Sequence, residues 1–263
     1  MSPEPGFLAW PISVLLAGML VSLGVGFVRG FAGFGYSAIC VAGLSLFVSP
    51  AAIVPAVLTL EVVASIGMLR SSLPLIDRPW LGWLLAGNLV FVPLGVLLLA
   101  VTPANPLRLM LGLALLTSVL ALKRNSHHVL QPSAPVKLVT AAASGLLNGV
   151  AASGGVVVAM TLAACRMDAQ SLRATMVVFL LASTAYAMLC ASLLTAGGTA
   201  ALVGWGTLQW VLLLLPTMLT GMWLGRRSFA RANPGNFRGH VLTLLTVIAS
   251  LTMLRGGLGL LSG

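Results

Sequence analysis

Charged side chains are scarce in this sequence, at 7% of 263 residues, whereas an average soluble domain carries about 25%. Only four residues are acidic, and aromatic residues make up 6%. In their place, 59% of the residues are hydrophobic and the mean hydropathy is +1.08. A water-soluble fold of this length could not hide so much apolar surface behind so few charges, so the composition excludes one. The solvent around most of the chain must be lipid.

The shortage of acidic residues leaves a formal charge of +10, and 12 of the 14 basic residues are arginine. In a soluble protein this imbalance would point to a nucleic-acid partner. Here the basic residues stand singly or in short clusters between apolar runs, and no segment resembles a recognition helix. We therefore predict no nucleic-acid partner and assign the basic residues to orienting the helices in the bilayer.

Cysteine and histidine are also rare. Cys40, Cys165 and Cys190 lie in or at the ends of apolar segments, which is typical of small packing residues rather than disulfides or metal ligands. His127 and His128 stand in a polar loop without a neighbouring carboxylate or cysteine cluster. The sequence contains no nucleophile-elbow, zinc-peptidase or phosphate-loop motif. It therefore predicts no metal site, no catalytic residue and no cofactor, and the chain is not expected to be an enzyme.

Apolar runs punctuated by Gly, Pro and Arg predict an all-α integral membrane protein of about ten helical segments. Their predicted bounds are 8–26, 36–48, 52–69, 80–101, 107–122, 138–148, 156–165, 173–196, 202–224 and 239–258. A helix needs about 20 residues to cross the hydrocarbon core. The segments at 36–48, 138–148 and 156–165 are too short, and each belongs to a pair joined by a glycine-rich stretch. We therefore predict two re-entrant hairpins of half-helices, with a first tip at residues 24–37 and a second tip at residues 145–155.

The two hairpins divide the chain into halves with the same order of elements. The predicted division is residues 1–122 (hairpin 8–48, helices 52–122), a cytoplasmic linker at 123–137, and residues 138–263 (hairpin 138–165, helices 173–258). A shift of 121 residues places Gly24 on Gly145 and Gly33 on Gly154. Each half contains three full crossings, an odd number, so the halves are predicted to form two inverted repeats.

The basic residues predict the orientation of these helices. With the N-terminus outside, eleven of them fall on cytoplasmic connections, namely Arg70, Arg78, Lys123, Arg124, Lys137, Arg166, Arg173, Arg226, Arg227, Arg231 and Arg238. Arg108 and Arg255 fall on or near the outer side, and Arg29 lies in the first tip. The start at Met1–Gly6 has no lysine or arginine, which predicts that no signal peptide is cleaved. Both chain termini are predicted to lie outside.

The first tip contains residues suited to an anionic ligand. Glycine allows positive φ and close approach of backbone N–H groups to a solute. Half-helices that begin near Tyr36 and Val156 would aim their partly positive N-termini at the bilayer centre, which favours an anion. The candidate binding residues of this tip are Arg29, Gly30, Gly33, Gly35, Tyr36 and Ser37. The alternative is that these glycines only allow close helix packing, the role assigned to Gly221 and Gly225.

Arg29 and Glu61 are charged residues inside apolar sequence. On a continuous first helix Arg29 would lie at the cytoplasmic interface and orient the protein, whereas on a hairpin it would lie near the midplane. There its planar donors would suit a carboxylate or a tetrahedral oxyanion. Glu61 could pair with Arg29, relay a proton or help to hold a cation, or it could form a salt bridge that only fixes packing. These alternatives stay open at this stage.

The second tip offers uncharged hydrogen-bond donors. Its candidate binding residues are Asn148, Ser153, Gly154 and Gly155. Asn88, within the segment at 80–101, is predicted to form an interhelical hydrogen bond rather than to line a pore.

Three stretches resemble the TauE/SafE sulfite and organosulfonate exporter family of bacterial permeases. They are Gly24–Pro50 leading into Ile53–Glu61, Ser144–Gly155 and Ala174–Ala191. The sequence departs from the Gly-Gly-Gly form that is common at the tips of this family. The first tip has Gly33-Phe34-Gly35 and the second has only Gly154-Gly155.

The resemblance implies a multi-pass permease of the bacterial inner membrane that transports sulfite, sulfonates such as sulfoacetate, or related small anions. The implied partners are the anion and the lipid bilayer, while coupling to a proton or sodium ion and assembly into a homodimer stay open. Two other functions also stay open at this stage. One is ion-coupled uptake of a different organic acid, and the other is a non-transporting partner in a membrane assembly.

Overall fold

The computed structural model describes residues 10–44, 50–101, 130–151, 153–194 and 204–231, and all regular structure in these ranges is helical. The α-helices are α1 (Ile12–Ala32), α2 (Tyr36–Leu44), α3 (Pro50–Ser72), α4 (Arg78–Val101), α5 (Ala134–Ala151), α6 (Gly154–Ala164), α7 (Ala169–Leu194) and α8 (Trp205–Arg231). A short 3-10 helix at Leu73–Leu75 links α3 to α4.

These helices confirm eight of the predicted segments, six of them with bounds within four residues of the prediction. The other two end later than predicted. Helix α1 continues to Ala32 instead of residue 26, so the chain breaks only at residues 33–35, and α8 continues to Arg231 instead of residue 224. The predicted helices at 107–122 and 239–258, most of the linker at 123–137, His127, His128, Arg108, Arg255 and both termini lie outside the described residues.

Local sequence accounts for where several helices begin and end. Gly33 ends α1 in the left-handed conformation, at φ +82°, and its N–H donates to the carbonyl oxygen of Arg29. Asp77 caps the start of α4, since its Oδ1 accepts from the N–H of Trp80 at 2.9 Å. Asp168 caps α7 in the same way, by accepting from the N–H of Gln170 at 3.0 Å. Both carboxylates therefore satisfy amides that a helix start leaves without partners.

The described helices form a bundle whose outer surface is apolar. Five segments are long and apolar enough to cross a membrane: α1, Pro55–Leu75, Arg78–Leu98, α7 and α8. Large apolar side chains project outward, with exposed fractions of 75% for Ile12, 74% for Leu193 and 71% for Trp205. Arg29, Glu61 and several Ser, Thr and Asn side chains are buried instead. Apolar side chains outside and charged ones inside fit a lipid solvent, so the chain is a multi-pass membrane protein.

Helix α1 lies parallel to α8. At one end the rings of Trp10 and Trp210 are 6.1 Å apart, and at the other those of Phe31 and Phe229 are 5.8 Å apart. A Cβ atom on Gly26 would lie 2.6 Å from the carbonyl oxygen of Met218, so only glycine allows this backbone approach.

Glycines on α8 make the same contact from the other side. A Cβ on Gly221 would overlap the carbonyl oxygen of Leu23, and one on Gly225 would overlap that of Phe27. The predicted packing role of Gly221 and Gly225 is therefore confirmed.

Helices α4 and α5 form a second parallel pair with glycine contacts. A Cβ on Gly87 would lie 2.5 Å from the Cβ of Ala141, and one on Gly149 would overlap the carbonyl oxygen of Val92. The Asn88 amide of α4 donates to Ser144 Oγ of α5 at 3.2 Å, which confirms the predicted interhelical hydrogen bond.

The remaining packing places α3 and α7 between these two pairs. Helix α7 packs against α3 and α4, and α3 packs against α8. Each short helix folds back on its neighbour, α2 on α1 and α3, and α6 on α5 and α7. At the open end of the α5–α6 hairpin, the N–H of Leu130 donates to the carbonyl oxygen of Ala164 at 3.2 Å. Helix α6 has 11 residues and spans only about 16 Å, too little to cross the hydrocarbon core.

The glycine contacts lead to a test with a matched pair on α1. We expect Gly26→Ala to destabilise the protein by about 1–3 kcal/mol, because the new methyl group meets the α8 backbone rather than a movable side chain. Gly24→Ala is the control, since a Cβ there meets none of the described residues within 4 Å. It should leave stability unchanged or slightly raised, as alanine favours a helix over glycine. Thermal unfolding in detergent measures both, and equal behaviour of the two variants would contradict this account.

Candidate functional site

The candidate site is built around Arg29, in the last turn of α1. Its side chain is fully buried, at 0% exposure, and points toward α3. Nε lies 3.0 Å from Oε1 of Glu61, which is also 0% exposed, and Nη2 donates to Ser65 Oγ at 2.5 Å. The first helix is thus continuous through Arg29, yet the arginine does not lie at an exposed interface.

Glu61 joins this ion pair to the start of α2. Its second oxygen, Oε2, accepts from the backbone N–H of Ser37 at 2.9 Å. A helix N-terminus has amides without partners and a partial positive charge, so it attracts an anion. At the first tip that anion is the protein's own carboxylate, held by one guanidinium and one helix start.

The ion pair leaves part of the Arg29 guanidinium unused. Nη1 is buried and has no hydrogen-bond partner among the described residues. A buried arginine keeps its charge, so an unused donor in such a place is costly unless another acceptor reaches it. The arrangement can therefore offer one charged donor to a second anion.

The other predicted residues of the first tip have structural roles. Gly30 lies inside α1, where a backbone N–H bonds within its own helix, and its contact with a ligand stays a prediction. Gly33 and Gly35 form the turn with positive φ, at +82° and +94°. Tyr36 starts α2, and its hydroxyl lies 2.9 Å from Ser22 Oγ on α1.

A second arginine, Arg173 of α7, closes the first tip. Its Nη2 donates to the carbonyl oxygen of Gly30 at 2.6 Å, and its guanidinium lies 4.6 Å from the ring centre of Phe229. A Cβ on Gly33 would lie 2.6 Å from its Cγ. Sequence analysis assigned Arg173 only to a cytoplasmic connection. The sequence signal that could have identified Arg173 was its position at the start of an apolar helix rather than in a loop.

The second tip contains no charged side chain among the residues predicted for it. Ser153 precedes α6, and its N–H donates to the carbonyl oxygen of Leu147 at 3.4 Å. A Cβ on Gly154 would lie 2.8 Å from the Cβ of Asn148, and one on Gly155 would lie 2.7 Å from Cδ2 of Leu180. The structure therefore brings Asn148 to the start of α6, as predicted for a shared site.

Two polar atoms near this tip lack partners. Asn148 Nδ2 and Ser183 Oγ are buried and make no hydrogen bond within the described ranges. Ser183 was missed in the sequence, because a single serine in an apolar helix is usually a packing residue.

Comparison with known proteins gives one family. A family model described as "Sulfite exporter TauE/SafE" matches residues 18–252 of the chain, which include both tips, Glu61 and Ser183. Comparison with curated proteins gives no match, and neither does comparison with solved structures.

The ion pair predicts strong coupling between Arg29 and Glu61 in stability. Arg29→Met and Glu61→Gln should each destabilise the protein by about 3–5 kcal/mol, because each leaves a buried charge without its partner. The double variant should lose clearly less stability than the two single variants lose together, since it leaves no charge buried. Unfolding in detergent measures the cycle, with the exposed Arg70→Met of α3 as control. Additive losses would show that the two side chains do not act as a pair.

Proposed function

Because the chain belongs to the TauE/SafE sulfite exporter family, we propose that it is a secondary transporter for small anions. It exports sulfite or organosulfonates such as sulfoacetate across the bacterial inner membrane, with both chain termini on the periplasmic side. Substrate moves by alternating access around the two tips, where its binding residues lie. The observation that carries this proposal is the buried Arg29–Glu61 pair at the start of α2.

The proposed architecture is two inverted repeats, residues 1–122 and 138–263. In support, the principal packing contacts are largely preserved when α1–α4 are exchanged with α5–α8. Helix α1 lies parallel to α8, and the equivalent pair is α5 with α4. Helices α3 and α4 are joined by a short turn and so run in opposite directions. Inverted repeats would run α1 and α5 in opposite directions, whereas parallel repeats would run them in the same direction.

The substrate site proposed for this architecture uses both tips. At the first tip Arg29 provides the positive charge, and its unused Nη1 is the donor that a substrate oxygen can reach. At the second tip Asn148, Ser153, Gly154 and Gly155 provide uncharged donors. Glu61 holds Arg29 in place between transport cycles. A buried arginine at membrane depth is usually functional, which favours this role over simple orientation of the helix.

Export fits the energetics of an anion. An interior-negative membrane potential drives each negative charge outward by about 2.3 kcal/mol per 100 mV. Export therefore needs no coupling ion, whereas uptake of the same anion would need one.

The charge and shape of Arg29 are the first test of this proposal. In proteoliposomes loaded with radiolabelled sulfite or sulfoacetate, we expect Arg29→Met to reduce flux about a hundredfold, the loss of a buried charged hydrogen bond. Arg29→Lys should reduce flux about tenfold, because it keeps the charge and loses the planar fork. Arg70→Met is the control on an exposed arginine and should transport normally. Undiminished flux in a correctly inserted Arg29→Met protein would remove Arg29 from the site.

Glu61 gives the test of the coupling mechanism. We expect anion flux through the wild-type protein to depend on the imposed membrane potential and to be independent of an imposed pH gradient. Glu61→Gln should slow flux without changing that dependence, because Arg29 then loses its counter-ion. Flux that follows the pH gradient in the wild type but not in Glu61→Gln would favour ion-coupled uptake instead. If the protein shows no flux and no ligand-induced thermal shift with any of these anions, a non-transporting assembly partner would be favoured.

A further inference from the structure

The two tips carry different chemistry at equivalent positions. The glycine pair Gly26 and Gly30 of α1 contacts α8, and Gly145 and Gly149 of α5 contact α4 in the same way. These pairs are related by a shift of 119 residues rather than the predicted 121. Gly24 does not make the contact that Gly145 makes, since a Cβ there would meet none of the described residues within 4 Å. The same shift places Arg29 on Asn148. An arginine in the first half thus corresponds to a neutral amide in the second.

The residues that face the starts of the two short helices also differ in charge. Glu61 accepts from the N–H of Ser37 in the first turn of α2. The shift of 119 residues places Glu61 on Leu180, which packs against Gly155 in the first turn of α6. A carboxylate therefore occupies the first helix start, and an aliphatic side chain covers the second. The first amides of α6, which the helix itself cannot satisfy, face no acidic side chain among these contacts.

Two side chains beside this helix start have unused hydrogen-bonding capacity. Asn148, 3% exposed, lies against Gly154, and its Nδ2 has no partner in the described part of the chain. Ser183, 1% exposed, lies three residues after Leu180 and so on the same face of α7, and its Oγ is also without a partner there. Burying two polar groups without hydrogen bonds is unfavourable in free energy, which favours a ligand that forms hydrogen bonds with both.

We propose that the second tip is a charge-free oxyanion site in which Asn148 Nδ2, Ser183 Oγ and the N–H groups of Gly154 and Gly155 bind the substrate directly. The first tip keeps Glu61 as its permanent anion, so Arg29 attracts the substrate while the second tip holds it. This inference rests on the proposed transport function and adds Ser183 to the site. Leu180 and Met176 cover Gly155 in the described conformation. Binding to the N–H of Gly155 requires these two side chains to move aside.

The ligand class follows from the donors. Amide and hydroxyl groups around a helix start bind a small oxyanion through hydrogen bonds alone. They donate to every oxygen of the ligand, so they favour a fully ionised sulfonate or sulfite. A protonated carboxylic acid would bring a donor of its own to a site that presents donors.

The test separates ligand binding from folding with two serine variants. Ser183→Ala should weaken sulfite and sulfoacetate binding about threefold to tenfold, the loss of one neutral hydrogen bond. The same variant should leave the thermal stability of the ligand-free protein unchanged or raised, because it removes a buried hydroxyl without a partner. Ser144→Ala is the matched control, a buried hydroxyl whose bonds to Ala141 and Asn88 are made within the protein. It should lower thermal stability and leave anion affinity unchanged.

Asn148→Asp provides a second, nearly isosteric variant. A carboxylate in a site for an anion should weaken binding of both probes about a hundredfold or more. Anion-induced thermal shifts and proteoliposome flux would be measured for each variant.

The outcomes are distinguishable. If the wild-type protein transports sulfite and both Ser183→Ala and Asn148→Asp bind it normally, the second-tip site is wrong and the transport function stands. The site is also wrong if Ser183→Ala loses stability and keeps its affinity. If the wild-type protein shows neither flux nor a thermal shift, the proposed function fails, and this inference fails with it.

Discussion

The contact between Arg29 and Glu61 is the interaction on which the rest of the bundle depends. Two opposite charges buried in a lipid-facing protein must be partnered, since water cannot reach them. That requirement brings three helices to one place: α1 carries the arginine, α3 carries the carboxylate, and α2 contributes the amide of Ser37. The first hairpin is therefore fixed to α3 at the depth of its own turn, and this contact decides where the short helix begins.

Glycine contacts impose the second constraint. In lipid there is no hydrophobic force between helices, so close backbone approach supplies much of the packing energy. Among the described helices, the most extensive contacts join α1 to α8 and α4 to α5, so each pair contains one helix from each half of the chain. The halves are interlocked by these pairs, and neither half could move as an independent domain.

The sequence was sufficient for much of the fold because apolar runs and glycine-rich breaks are local signals. It located the two short pairs and the start of α2. It failed where contacts between residues far apart in the sequence determine the structure. Gly24, Gly26 and Gly30 suggested a broken backbone, but packing on α8 keeps α1 helical as far as Ala32. The bond from Arg173 to Gly30 spans 143 positions, and the unpartnered hydroxyl of Ser183 can be recognised only when its surroundings are known.

A transport site must bind its anion and also release it, and the difference between the tips addresses both needs. A bare arginine in a medium of low dielectric would hold an oxyanion too strongly to let it leave. Glu61 offsets most of that charge and leaves one donor of Arg29 unused. An uncharged second tip adds hydrogen bonds with little further Coulomb attraction. In the proposed site, the charge that attracts the anion and the neutral donors that select it are thus separated between two halves that share one packing scheme.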